Sequence, residues 1–259
     1  MVSFLSLISG SSGNAIYLSD GRTKLLVDCG MSGKKLKEAL ERIDVSPEDL
    51  DALLLTHEHI DHVKGAGVVA RRYHLPVYAT EGTHLGMDAG KIKDEQIKII
   101  PKNISFEIGT IGVNAFSIPH DAADPVGYNF FAENKKLSIA TDIGDMTDEI
   151  EQSILGSEMV LLESNHDLQM LQMGSYPFYL KQRILSDHGH LCNDAAAETA
   201  VKLLKSGTKH ILLGHLSREN NRPDIAYKVT ENLLSSVGAA IGSDITLNVA
   251  SRSEITCFG

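Results

Sequence analysis

The stretch Leu53-Leu54-Leu55-Thr56-His57-Glu58-His59-Ile60-Asp61-His62 constrains this chain more than any other. It puts three imidazoles and a carboxylate within six residues, directly after an apolar run. Neutral imidazole with carboxylate is a ligand set of zinc, iron and manganese. Residues two apart share one side of an extended chain but lie on nearly opposite sides of a helix, so His57, His59 and Asp61 converge only on extended backbone. This is not the helical HExxH arrangement. Asp61 and His62 are consecutive and both reach a metal only if the chain turns there. The spacing predicts a loop at a strand end, with a helix beginning around Val63-Lys64-Gly65-Ala66-Gly67. The competing reading is a polar cluster on a solvated turn.

The rest of the chain can support such a site. With 259 residues, 42% of them hydrophobic, it suits one large domain or two intimately fused halves. The start, Val2 to Ile8, is too short for a membrane span and lacks the basic residues and cleavage pattern of a signal peptide, so a cytoplasmic protein that binds no membrane is expected. Cys29, Cys192 and Cys257 are odd in number and without CxxC spacing, which fits a reducing compartment. All three are expected to act as small buried hydrophobes. A net charge of −10 disfavours nucleic acid as a substrate, since a basic footprint normally supplies non-specific affinity. Two divalent cations, however, can make a metal cleft locally positive on an acidic protein. Lys34-Lys35, Arg71-Arg72, Lys135-Lys136 and Arg218/Arg222 are basic pairs that solvated faces explain.

Phe4 to Ile8 and Ala15 to Leu18 read as strands around the polar loop Ser9 to Asn14, a plain turn or, through Gly10-Ser11-Ser12-Gly13-Asn14, an anion-facing loop. Lys24 to Gly30 is a buried strand ending in a carboxylate, where Asp28 could orient a ligand histidine from behind or form a turn before Gly30. Lys34 to Ile43 has helical spacing, and Ser46-Pro47 opens a helical turn. Strand and helix then alternate through Thr80, whereas 97–100, 111–118 and 127–131 are spaced like hairpin strands, so a mixed sheet in an α/β protein is predicted. Three further strand ends deliver His120, Asp142 and His215. Each alone is an ordinary loop residue; together with the HxHxDH motif they form a pattern.

Asp28, His57-x-His59-x-Asp61-His62, His120, Asp142 and His215 resemble, in order, the five motifs of the metallo-β-lactamase superfamily over nearly the whole chain. The resemblance implies an αβ/βα four-layer sandwich, two mixed β-sheets with helices outside, binding two divalent metal ions. Carried over by residue, His57, His59 and His120 hold one metal, Asp61, His62 and His215 the other, and Asp142 bridges them. Zinc, manganese and iron all suit such ligands. Gly10 to Asn14, Glu163-Ser164-Asn165-His166-Asp167, Ser186 to Leu191 and Gly214 to Asn221 are similar to the YycJ/WalJ-type branch, regarded as DNA exonucleases; Cys192 stands where serine is expected. The short interval from Asp142 to His215 leaves no room for the large inserted domain of ribonuclease J-type enzymes, so residues 1–259 are expected to form one domain.

Two metals about 3.5–4 Å apart can activate a shared water and stabilise both oxygens of an in-line displacement, which suits phosphodiester cleavage. The expected activity is a metal-dependent phosphodiesterase, and the resemblance implies that it degrades DNA from the 5′ end, with Asp61 and His190 as catalytic residues. A thioester or cyclic-nucleotide hydrolase on the same site, and a non-catalytic metal-binding regulator, are the alternatives. Asp187 to Asn193 leads into a helix expected from about Asp194, with Asn193 or Asp194 as N-cap. Gly189-His190 resembles the Gly-His loop of ribonuclease J and tRNA-processing nucleases, which implies that His190 contacts phosphate and that His188 supports it. Ser11, Asn14, Asn165 and His166 are further candidate substrate contacts.

Overall fold

The computed structural model describes residues 2–88 and 92–258. Its elements run β1 (Ser3–Ile8), β2 (Ala15–Ser19), β3 (Lys24–Val27), α1 (Gly33–Glu41), β4 (Ala52–Leu54), α2 (Ile60–Val63), α3 (Ala66–Tyr73), β5 (Val77–Ala79), α4 (Glu81–Gly86), β6 (Ile97–Ile99), β7 (Phe106–Ile108), β8 (Ile111–Ser117) and β9 (Val126–Ala132). They continue with β10 (Lys135–Ala140), α5 (Asp148–Ile154), β11 (Met159–Glu163), α6 (Leu168–Met173), α7 (Phe178–Ile184), α8 (Asn193–Lys205), β12 (His210–Gly214), α9 (Pro223–Ser236), β13 (Thr246–Val249) and β14 (Thr256–Cys257). The strands form two mixed sheets of seven, the class that the resemblance implies. Two compact units result: Met1–Ser117, Ala122–Asn134 and Ser251–Cys257 make the first, and Ile118–Asp121, Lys135–Ala250 and Phe258–Gly259 the second.

In the first unit one sheet has the order β14-β1-β2-β3-β4-β5-β6, antiparallel as far as β3 and parallel from there on. The parallel run exists because α1 and α3 return the chain to the same edge. Ser32 caps α1 by accepting from the Lys35 N–H, and Leu36 and Leu40, one turn apart, bury the same stripe as Leu26, Leu53 and Val69. β7, β8 and β9 form an antiparallel meander with Val113 opposite Phe106 and Ala115 opposite Tyr128. β7, only three residues long, has too little alternation to be read from sequence. The buried Tyr128 hydroxyl donates to the Leu55 carbonyl at 2.7 Å, and the Val126 N–H donates to Thr56 O at 3.0 Å. These two bonds fasten the meander to the chain leaving β4.

In the second unit β10, β11, β12 and β13 are parallel, with Leu161 opposite both Ile139 and Leu212. Met159 to Leu162 and Ile211 to Leu213 are continuous buried apolar runs, as strands covered on both faces must be. α8 buries Ala196, Ala197, Ala200 and Leu203 as its inward stripe. Its N-cap is Cys192, one residue before Asn193 and two before Asp194, the expected caps. Only Cys29 of the three cysteines is fully buried; Cys192 is half-buried and Cys257 exposed, which corrects the expectation for those two. Burial pushes the Cys29 thiol up to about 12, which makes it inert. No helix among the described residues is long and apolar enough to cross a membrane.

Candidate metal centre

In the first unit, β4 ends at Leu54, the chain bends at Thr56, and His59, extended with φ −60° and ψ 145°, precedes α2. Asp61 and His62 lie in the first turn of that helix, which starts at Ile60, earlier than the sequence spacing predicts. The turn required between consecutive ligands is thus a helical one. The His57 ring meets those of His59 and His62 at centroid distances of 4.6 and 4.1 Å. His62 is fully buried, and its Nδ1 lies 2.8 Å from Oδ2 of Asp28. A carboxylate only accepts, so Nδ1 carries the proton and Nε2 keeps the lone pair that a metal needs. Asn14 Nδ2 lies 3.0 Å from that Nε2, and Oδ2 of Asp61 3.5 Å from it. Asp28 also accepts from the Thr56 N–H at 2.9 Å and from its hydroxyl.

Two backbone features hold this loop. Asp28 has φ +59°, a left-handed conformation seldom adopted outside glycine, and aims its carboxylate back under the loop. Gly30 approaches the Asp61 carbonyl so closely that a Cβ would sit 1.7 Å from its oxygen. Glu58 turns away and accepts from the Ala123 N–H at 2.7 Å. Asn14 closes its own turn through Gly10, while Ser11 is exposed. The Gly10 to Asn14 segment is thus a turn whose asparagine reaches the histidine loop.

In the second unit, Asp142, Glu163, His190 and His215 each offer an atom within 4.8 Å of the others, a set able to hold a divalent ion. β10 and β12 deliver Asp142 and His215 at their ends, and both residues are again left-handed, with φ +62° and +55°. Glu163 closes β11 and is fully buried. Its Oε1 lies 2.8 Å from His190 Nδ1 and 3.0 Å from His215 Nδ1, while its Oε2 accepts from the Ile143 and Leu191 N–H groups. Burial works to raise its pKa, but the two imidazoles prevail and hold the carboxyl well below the usual carboxylate range. Sequence reasoning did not single out Glu163. Its signal was an acidic residue ending an all-apolar strand.

His120 gives Nδ1 to the Gly189 carbonyl at 3.0 Å, and its Nε2 lies 3.4 Å from Asp121 and 3.8 Å from Asp142. Burial lowers its pKa, against the pull of Asp142, so the ring stays neutral as a ligand should. His62, His120 and His215 therefore share one chemistry: Nδ1 held by an acceptor, Nε2 left as donor atom. His190 is about a fifth exposed, its Nδ1 on Glu163. His188 is exposed, and its carbonyl accepts from the Asp121 N–H at 3.1 Å. Asn165, expected to face substrate, instead donates to the His215 carbonyl at 2.9 Å and braces that turn. His166 is buried.

A family profile described as beta-lactamase superfamily domain matches residues 23–215. The chain belongs to the metallo-β-lactamase superfamily. Exodeoxyribonuclease WalJ of Streptococcus pneumoniae (serotype 2, strain D39) is 43% identical to it over 242 residues, covering 92% of this chain and 90% of that protein. Exodeoxyribonuclease YycJ of Bacillus anthracis is 42% identical over 241 residues, covering 92% and 91%. The superfamily fold recurs in the crystal structure of YhfI from Bacillus subtilis, a metallo-beta-lactamase fold protein with TM-score 0.75 and 16% identity over 99% of each chain.

Proposed function

We propose that this superfamily member is a metal-dependent exodeoxyribonuclease that degrades DNA from the 5′ end in the cytoplasm. The observation that carries this reading is the 43% identity with exodeoxyribonuclease WalJ over 92% of the chain. Two divalent ions, zinc, manganese or iron, are held by His57, His59, Asp61, His62, His120, Asp142 and His215, and residues 1–259 work as one domain. The histidines fit that role: acceptors on Nδ1 of His62, His120 and His215 fix the tautomer whose Nε2 can ligate. Bound divalent ions supply a water-derived nucleophile near neutral pH and positive charge for the phosphoryl transition state.

The chain's own residues do the rest. Asp28 and Glu163 lock ring orientation in their respective units, which removes a reorganisation cost from each turnover. Asp61, partly exposed in its loop, would accept a proton from the attacking water. His190, its ring oriented by the contact of Nδ1 with the buried Glu163 carboxylate, would contact a phosphate oxygen through Nε2. Metal-loaded protein is expected to shorten 5′-labelled duplex or single-stranded DNA from the labelled end, releasing nucleotides. Intact 5′- and 3′-labelled DNA would overturn the reading; loss from the 3′ end would reverse the polarity.

A further inference from the structure

Beside His190 the second unit holds a cleft of about 370 Å³ that the catalytic reading does not use. Its size falls in the range of about 300–1,000 Å³ typical of small-molecule sites. One wall is a stripe of α8, on which Cys192, Ala195, Thr199 and Lys202 recur at helical spacing. Met146, Leu168, Leu185 and Leu191 add apolar surface, so the lining is mixed, with polar groups slightly in excess.

His166 also lines this cleft, only 1% exposed, and neither ring nitrogen has a hydrogen-bond partner among the described residues. Its backbone is fixed, because its carbonyl accepts from the Asn193 N–H at 2.9 Å at the start of α8. A buried imidazole without partners is costly, and natural structures rarely keep one without a use for it. Burial brings its pKa down to about 4, so near neutral pH it presents one donor and one acceptor. The charged groups of the lining are Asp145, Glu198 and Lys202, and Lys202 is already paired with Glu151. A phosphate would meet two carboxylates and a spent cation. A flat uncharged ring bearing donors and acceptors meets walls of mixed apolar and polar groups and a neutral imidazole.

We infer that this cleft takes a nucleobase of the DNA, that of the nucleotide whose phosphate His190 contacts, with His166 hydrogen-bonded to the base edge. This rests on the nuclease reading. The consequence is that the protein holds one base out of the stack while the backbone runs past His190.

The test is a binding titration on metal-free protein with oligodeoxynucleotides carrying 2-aminopurine at successive positions from the 5′ end. Fluorescence should change sharply at one position and not at its neighbours. Deoxyadenosine should compete for that signal and inorganic phosphate should not. An Ala195→Trp protein, its groove filled, should lose the signal yet keep wild-type metal content. With metal added, wild-type protein should show a KM raised about 10–100-fold when that single nucleotide is abasic, the size of one lost stacked base. Uniform fluorescence along the strand, competition by phosphate rather than nucleoside, or indifference to the abasic position would each overturn the inference. Failure to degrade any DNA would instead overturn the nuclease reading, and the titration reports on the cleft regardless.

Discussion

Oδ2 of Asp28 lies 2.8 Å from Nδ1 of His62, and both side chains are buried where β3 and the histidine loop meet. The carboxylate sets which nitrogen of His62 is available to a metal and is itself held by Thr56. Asp28→Asn keeps an acceptor but removes the charge, so metal affinity should fall about 10–100-fold with the fold intact. Metal titration by calorimetry checks this; unchanged affinity would reduce Asp28 to a turn residue.

Glu163→Gln should cost more stability than its chemical conservatism suggests. Each Glu163 oxygen accepts two bonds, Oε1 from two imidazoles and Oε2 from two backbone N–H groups. An amide must point its NH2 at one of these donor pairs and leave buried donors unmatched. At about 1–3 kcal/mol per orphaned group, a loss of about 2–5 kcal/mol is expected in urea unfolding at pH 7. A midpoint equal to wild type would mean that the four-bond arrangement contributes nothing.

His190→Ala should retain metal and lose about 10²–10³-fold in turnover, the scale of a removed transition-state donor. Metal analysis and DNA degradation on one preparation decide it. Metal lost together with activity would make His190 a ligand.

Replacing Asp142 by alanine should lower total metal content more than His215→Ala, if Asp142 contacts both ions and His215 one. Equal stoichiometry in wild type and Asp142→Ala, by elemental analysis, would remove the bridging role.

His166 predicts a pH dependence. Its pKa of about 4 in the folded protein lies below the roughly 6.5 of an unfolded histidine, so between these values the unfolded chain binds more protons. Stability from this group is complete above about pH 6.5 and falls away as pH drops towards 4, by about 3 kcal/mol. Urea unfolding of metal-free His166→Phe against wild type at pH 7.5 and 4.5 should show the smaller acid loss in the variant.

The sequence by itself determined the strand-end positions of Asp28, His57, His120, Asp142 and His215, because apolar runs followed by a polar break can be read without knowing partners. It also gave the alternation of strand and helix that makes the parallel half of each sheet. It misplaced the start of the helix at Asp61 and His62, since four residues carry too little periodicity and the turn is held by Gly30 from a distant part of the chain. The bond from the Asn165 amide to the His215 carbonyl joins residues fifty apart, which spacing along the chain does not reveal. Glu163 and His166 show the same limit from the other side. A buried carboxylate shared by two imidazoles, and a buried imidazole with no hydrogen-bond partner among the described residues, are defined by neighbours that only tertiary packing supplies. Residue spacing encodes which face a side chain takes; which acceptor meets it there depends on distant segments brought together by burial of the apolar core.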